Sequence, residues 1–153
     1  MTALATFLAV AVTSVCPMSH VHYASYPHVG AGLGGIPWIE TSNRSFYAHP
    51  FYWGAMPWAK ERRIGARIFT TVERRRISPK VLWIARGRAG EALVIRGRRL
   101  DGPGRFSSTV PRALGMPAQF PSYVSVPAAG CWRVTVTSGA LSGSVVFAAV
   151  DRV

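Results

Sequence analysis

From about Ile36 onward the chain alternates short apolar runs with turn formers, the pattern of extended strands. Ile36 to Glu40 is the first run, and Pro37 confines it to a sheet edge. Phe46 to Trp53 is dense in aromatics and interrupted by Pro50. Ala66 to Val72 and Val81 to Ala85 are β-branched or aromatic, and Ala92 to Arg96 is closed by Gly97. Tyr123 to Val126 follows a long connection, Gly97 to Ser122, and is stopped by Pro127. Outside an N-terminal apolar run, no stretch longer than a turn or two carries the 3.6-residue repeat of an amphipathic helix.

The C-terminal third carries the clearest pattern. Cys131 to Thr137 places Trp132, Val134 and Val136 on one face and Cys131, Arg133, Thr135 and Thr137 on the other. Ser138 to Gly143 is a turn region, and Ser144 to Val150 returns as a second strand, so the two form a β-hairpin. Because Cys131 shares a face with Arg133, that face is not expected to be wholly wet. Seven or eight short strands without intervening helices predict an all-β antiparallel β-sandwich over residues 36–153, preferred over a small barrel because of the long connections.

The segment before the sandwich reads differently. Met1 to Cys16 carries no charged side chain, and Leu4 to Val15 has the length of a signal-peptide apolar core, too short to span a bilayer. Residues 1–16 are therefore read as a signal segment, although a basic start is missing. Val12-Thr13-Ser14 offers small residues at the spacing of a cleavage site, while Cys16 is a candidate for lipidation despite Val15 before it. Residues 17–35, with two prolines, three histidines and four glycines between Gly30 and Gly35, read as a flexible tether. If Cys16 is cleaved off or acylated, Cys131 is unpaired and sits in its strand as a small apolar residue. That reading is preferred; a Cys16–Cys131 bridge requires the N-terminal segment to be retained and docked beside that strand.

Charge adds one anomaly. Lys and Arg number 18 against 6 acidic residues, for a net charge of +12, and all but Lys60 and Lys80 are arginine. Arg74, Arg75 and Arg76 form one knot, and Arg96, Arg98 and Arg99 a second. Brought together on adjacent strands, they form a candidate anion-binding patch for lipid headgroups or acidic polymers. Nucleic acid is disfavoured, because Phe69 and Trp83 read as core and leave few rings to stack on bases. The plainer alternative is a solvated arginine face that guards strand edges.

Catalytic equipment is not legible. The carboxylates Glu40, Glu61, Glu73, Glu91, Asp101 and Asp151 are scattered, and no Gly-x-Ser-x-Gly elbow occurs. Cys131 in an apolar strand is a poor nucleophile. His20, His22, His28 and His49, with Met18, lack a third metal ligand at a convincing spacing, so they read as solvated loop histidines. Gly30 to Gly35 lacks the ending of a phosphate loop. No catalytic residue, metal or small-molecule cofactor is expected. The aromatic segment Phe46 to Trp58 is expected to cap one end of the sandwich.

Three stretches then carry a resemblance: Leu93 to Asp101, ending Gly-Arg-Arg-Leu-Asp; Phe120-Pro121-Ser122; and Pro127 to Thr135, containing Gly130-Cys131-Trp132. In this arrangement the chain resembles a group of uncharacterised bacterial exported or lipid-anchored proteins with a C-terminal immunoglobulin-like β-sandwich. The resemblance spans about residues 80–150 and implies an immunoglobulin-like fold and export, with no activity attached. Gly130, Cys131 and Trp132 are its structural motif: Gly130 admits a positive φ at the strand entrance, and Trp132 fills core. Asp101 before Gly102 marks a turn and is placed to hold Arg98 or Arg99. The function expected is a non-catalytic, envelope-associated binding or structural module whose partner is an envelope protein or an anionic polymer or lipid surface.

Overall fold

The computed structural model describes residues 15–23, 37–71, 78–113, 115 and 117–151. The tryptophan-rich, alternating strands of the sequence pair into two sheets with one core between them. β1 (Ile39–Glu40), β2 (Phe46–Pro50), β4 (Lys80–Ala85) and β7 (Gln119–Tyr123) form a four-stranded antiparallel sheet in the order β1-β2-β4-β7. β3 (Arg67–Phe69), β5 (Ala92–Arg99), β6 (Arg105–Pro111), β8 (Gly130–Ser138) and β9 (Leu141–Val150) form the second, in the order β3-β9-β8-β5-β6. Among the described strands only the β3–β9 pair is parallel. The chain changes sheets five times, between β2 and β3, β3 and β4, β4 and β5, β6 and β7, and β7 and β8. Adjacency of β5, β8 and β9 opposite β2, β4 and β7 is the immunoglobulin-like order, and the fold is an immunoglobulin-like β-sandwich.

The core follows from the alternation. Trp83, Phe46 and Phe120 from one sheet meet Trp132, Val134, Val136 and Phe147 from the other, all with essentially no exposed surface. The two central indoles keep their polar edge satisfied: Trp83 Nε1 donates to Ser122 Oγ at 3.0 Å, and Trp132 Nε1 to the Ala128 carbonyl at 2.9 Å. The β8–β9 hairpin is formed as its pattern predicts, with a turn tighter than the six residues expected, since Ser138 pairs with Leu141 directly. Gly143 is thereby drawn into β9. The aromatic segment caps one end. Trp53 and Trp58 are buried in two short 3-10 turns, Trp53–Ala55 and Pro57–Lys60, and Tyr52, buried just before the first, packs edge-on to Phe69 of β3.

Several boundaries differ from the sequence reading. β5 does not stop at Gly97 but runs through it to Arg99, because the Phe106 ring of β6 lies where a side chain would stand: a Cβ at Gly97 would be 2.0 Å from it. β6 itself falls inside what reads as a connection. Its outward positions are Arg105, Ser107, Thr109 and Pro111, and its other face is only half-buried, so as an edge strand it shows little apolar alternation. β7 begins four residues before the expected strand. Pro121 is tolerated there because β7 is an edge strand whose outer side is met only at Gln119, by Ala113, among the described residues.

The largest correction concerns the N-terminal segment. Cys16 and Cys131 form a disulfide, so Cys131 is not unpaired and the Cys16 sulfur is not free to carry a lipid. Residues 17–23 are not a tether. β9 is ten residues long and β3 covers only its last three, which leaves backbone groups near Val146 in need of partners. Ser19 supplies them: its N–H donates to the Val146 carbonyl at 2.9 Å, and its Oγ accepts from the Val146 N–H at 2.9 Å. Further on, His22 and Trp38 exchange backbone hydrogen bonds of 2.8 and 3.0 Å beside β1. The segment thus ties one sheet to the other. The signal stretch before Val15, the rest of the expected tether up to Ile36, and Arg74, Arg75 and Arg76 lie outside the described residues.

Candidate functional site: an arginine face on the five-stranded sheet

In the second sheet the outward side carries a block of polar residues where β6, β5 and β8 lie side by side. Register places Arg98 of β5 opposite Arg105 of β6 on one side and Arg133 of β8 on the other. The next row along the strands is Ser107–Arg96–Thr135. Neighbouring strands lie about 4.8 Å apart and alternate residues about 7 Å apart, so the four arginines spring from a patch of backbone roughly 7 by 10 Å. Together with Gly97 and Phe106 these residues line an open concavity of about 720 Å³.

Nothing described neutralises this charge. The ion pairs go elsewhere: Glu40 meets Arg44 at 3.5 Å and Arg86 at 3.1 Å, Asp101 meets Arg99 at 2.8 Å, and Glu91 approaches Arg112 at 4.0 Å. Arg96, Arg98, Arg105 and Arg133 have no ion pair among the described residues. Like charges directly opposite on adjacent strands are destabilising, and the row Arg105–Arg98–Arg133 contains two such pairs. An anion in the concavity turns that repulsion into attraction, and arginine forks suit phosphate or carboxylate oxygens. The hydroxyls of Ser107 and Thr135 add donors to the same surface.

Of the residues singled out in the sequence, Arg96 and Arg98 are on this face and Arg99 is not. Arg99 points the other way, and its Nε donates to Asp101 Oδ1 at 2.8 Å. The second carboxylate oxygen of Asp101 accepts the Cys131 N–H at 3.0 Å, and the Leu100 N–H donates to the Cys131 carbonyl at 2.7 Å. The hydrogen bond from Arg99, aided by that from Cys131, holds the Asp101 carboxyl below the usual carboxylate range. Gly130 has φ of 140°, as the motif reading expects, and a Cβ there would be 2.6 Å from Arg99 Nε. The two sequence motifs therefore meet in a clasp that fixes the entrance of β8. Arg105 and Arg133 were missed as members of the face. The alternation of β8 already turns Arg133 outward, but Arg105 belongs to the strand that reads as a loop.

The histidines are also placed. His22 stacks on Trp38 with ring centroids 4.0 Å apart, His20 meets His22 edge-on at 4.7 Å, and Trp38 meets Tyr47 edge-on at 5.3 Å. His22 is thus half-buried in a ring stack and His49 is buried, rather than solvated, while His20 is exposed as expected and His28 lies outside the described residues; burial, with His20 nearby, lowers the His22 pKa against an opposing pull from Glu40. Among the described residues no three metal-ligating side chains converge, and no helix is long and apolar enough to cross a membrane. No protein-family model, no curated protein and no solved structure matches the chain.

Proposed function

We propose that this protein is exported to an oxidising compartment of the cell envelope, where it serves as a non-catalytic module that binds anions through Arg96, Arg98, Arg105 and Arg133. The observation that carries the binding reading is the unneutralised row Arg105–Arg98–Arg133, a locally unfavourable arrangement that an anion relieves. Export is supported by the Cys16–Cys131 disulfide, since such bonds persist where thiols are not kept reduced. The uncharged apolar run Leu4 to Val15 and the resemblance of the Gly130-Cys131-Trp132 motif to exported bacterial proteins point the same way.

Titration of the purified chain with inorganic polyphosphate, at rising salt, tests the binding reading. Affinity should fall steeply with salt, and Arg98→Ser/Arg133→Ser should weaken binding and flatten the slope. Binding indifferent to salt or to the double substitution would overturn it. For export, thiol alkylation and intact mass of protein recovered from the envelope or medium should find both cysteines blocked; free thiols there would count against the compartment.

A further inference from the structure

The segment that Cys16 fastens to β8 brings together two histidines that the anion-binding reading leaves unused. It is pinned on either side of them: Ser19 is hydrogen-bonded to Val146 on β9, and His22 exchanges backbone bonds with Trp38. Val21, between the two histidines, is turned into the core with 1% exposure, so His20 and His22 share the outer side. Their ring centroids are 4.7 Å apart, with His20 exposed and His22 half-buried. Trp38 stacks on His22 at 4.0 Å and is itself packed edge-on against Tyr47, which holds the His22 ring in one orientation. The exposed His20 ring can turn towards it.

We infer that His20 and His22 chelate one divalent transition-metal ion, with water completing its coordination and the cupric ion held most tightly. An imidazole nitrogen binds such an ion at about 2.0–2.1 Å, which puts the ring centroid about 3.2 Å from the metal. Two rings at neighbouring positions on one ion then stand about 4.5 Å apart in tetragonal geometry and about 5.2 Å apart in tetrahedral geometry. The observed 4.7 Å lies between these values, so turning the His20 ring aims both nitrogens at one ion without moving the backbone. Imidazole suits copper, nickel and zinc, and among these affinity peaks at the cupric ion. Glu40 exerts its charge on His22 and so favours a cation there, while its carboxylate oxygens are taken up by Arg44 and Arg86 and are not ligands. With only two protein ligands the ion is exchangeable, unlike one held in a closed structural site.

The test is titration of the full chain with cupric ion alone, at neutral pH in a buffer that does not bind it. Bound metal is followed by equilibrium dialysis and indole emission by fluorescence. One ion per chain should bind, and because His22 lies against Trp38, binding should quench that indole. His20→Ala and His22→Ala should each weaken binding by about tenfold or more, at least as much as loss of a group that only orients a ligand. Trp38→Phe should keep the bound ion and lose most of the quenching. Unchanged affinity in either histidine variant, or quenching that persists in full in Trp38→Phe, overturns the inference. Arg98→Ser/Arg133→Ser should bind the ion as the parent chain does, so this site and the anion-binding reading stand or fall separately.

Discussion

The two sheets apply the same two-residue alternation to different ends. In the four-stranded sheet β2 and β4 are covered on both sides: Phe46 and Trp83, with Phe120 of β7, face the main core, while Tyr47, Leu82 and Ile84 join Trp38 in a second, smaller apolar cluster on the outward side, and only the edge strand β7 exposes Pro121 and Tyr123 there. In the five-stranded sheet β5, β6, β8 and β9 alternate along most of their length, and the outward positions shared by β5, β6 and β8 around Arg98 are Arg, Ser and Thr. A sheet buried on both sides is scaffold. One buried on a single side keeps a polar face free to read a partner, and the difference shows in composition before it shows in shape.

That contrast is sharpest between neighbours on β8. Trp132→Ala, on the inward side, should cost about 3–5 kcal/mol in urea unfolding, whereas Arg133→Ser, the next residue but outward, should change stability by less than about 0.5 kcal/mol. Similar losses would mean the two sides are not partitioned as described. The next largest effect concerns the disulfide: Cys16→Ala/Cys131→Ala should lower stability by about 2–5 kcal/mol, with the loop-entropy value for a link across 115 residues at the upper end. No change in the urea midpoint would show that residues 16–23 are held without it.

The covered side of the four-stranded sheet makes a pH prediction of its own. His49 is buried there opposite Leu82, and burial pushes its pKa down from 6.5 to about 4. The unfolded chain takes up the proton near 6.5 and the folded chain only near 4, so stability is greatest above pH 6.5 and declines as pH falls towards 4. From pH 7 to 5 the loss attributable to His49 is about 2 kcal/mol. Replacing it by phenylalanine should remove that part of the slope, and a slope unchanged in His49→Phe would assign it to other groups. The smallest effect is expected on the open face. Arg98→Ser relieves two like-charge oppositions and should raise stability by up to about 0.5 kcal/mol while weakening anion binding. A gain in stability together with a loss of binding is the signature of a surface kept for a partner.

Much of this was legible in the chain. The strands of the C-terminal hairpin, the inward set Trp132, Val134 and Val136, the edge position next to Pro37 and the positive φ of Gly130 all follow from residue types and their spacing. Half of the arginine face was legible too, as Arg96 and Arg98. What misled was local as well: a glycine that reads as a strand end is spanned because Phe106 covers it, and Arg105-Phe-Ser-Ser-Thr-Val-Pro111 reads as a connection because an edge strand needs little apolar content.

The division has one physical origin. Alternation, turn chemistry and the side of the sheet on which a residue points are properties of the chain over a few residues, so the sequence by itself determined an all-β sandwich with Trp132 in and Arg133 out. Register between strands, and contact between segments far apart, depend on how whole sheets pair. Only the tertiary structure could set Arg105 and Arg133 on either side of Arg98, turn Arg99 away to Asp101, and bring Cys16 to Cys131 across 115 residues.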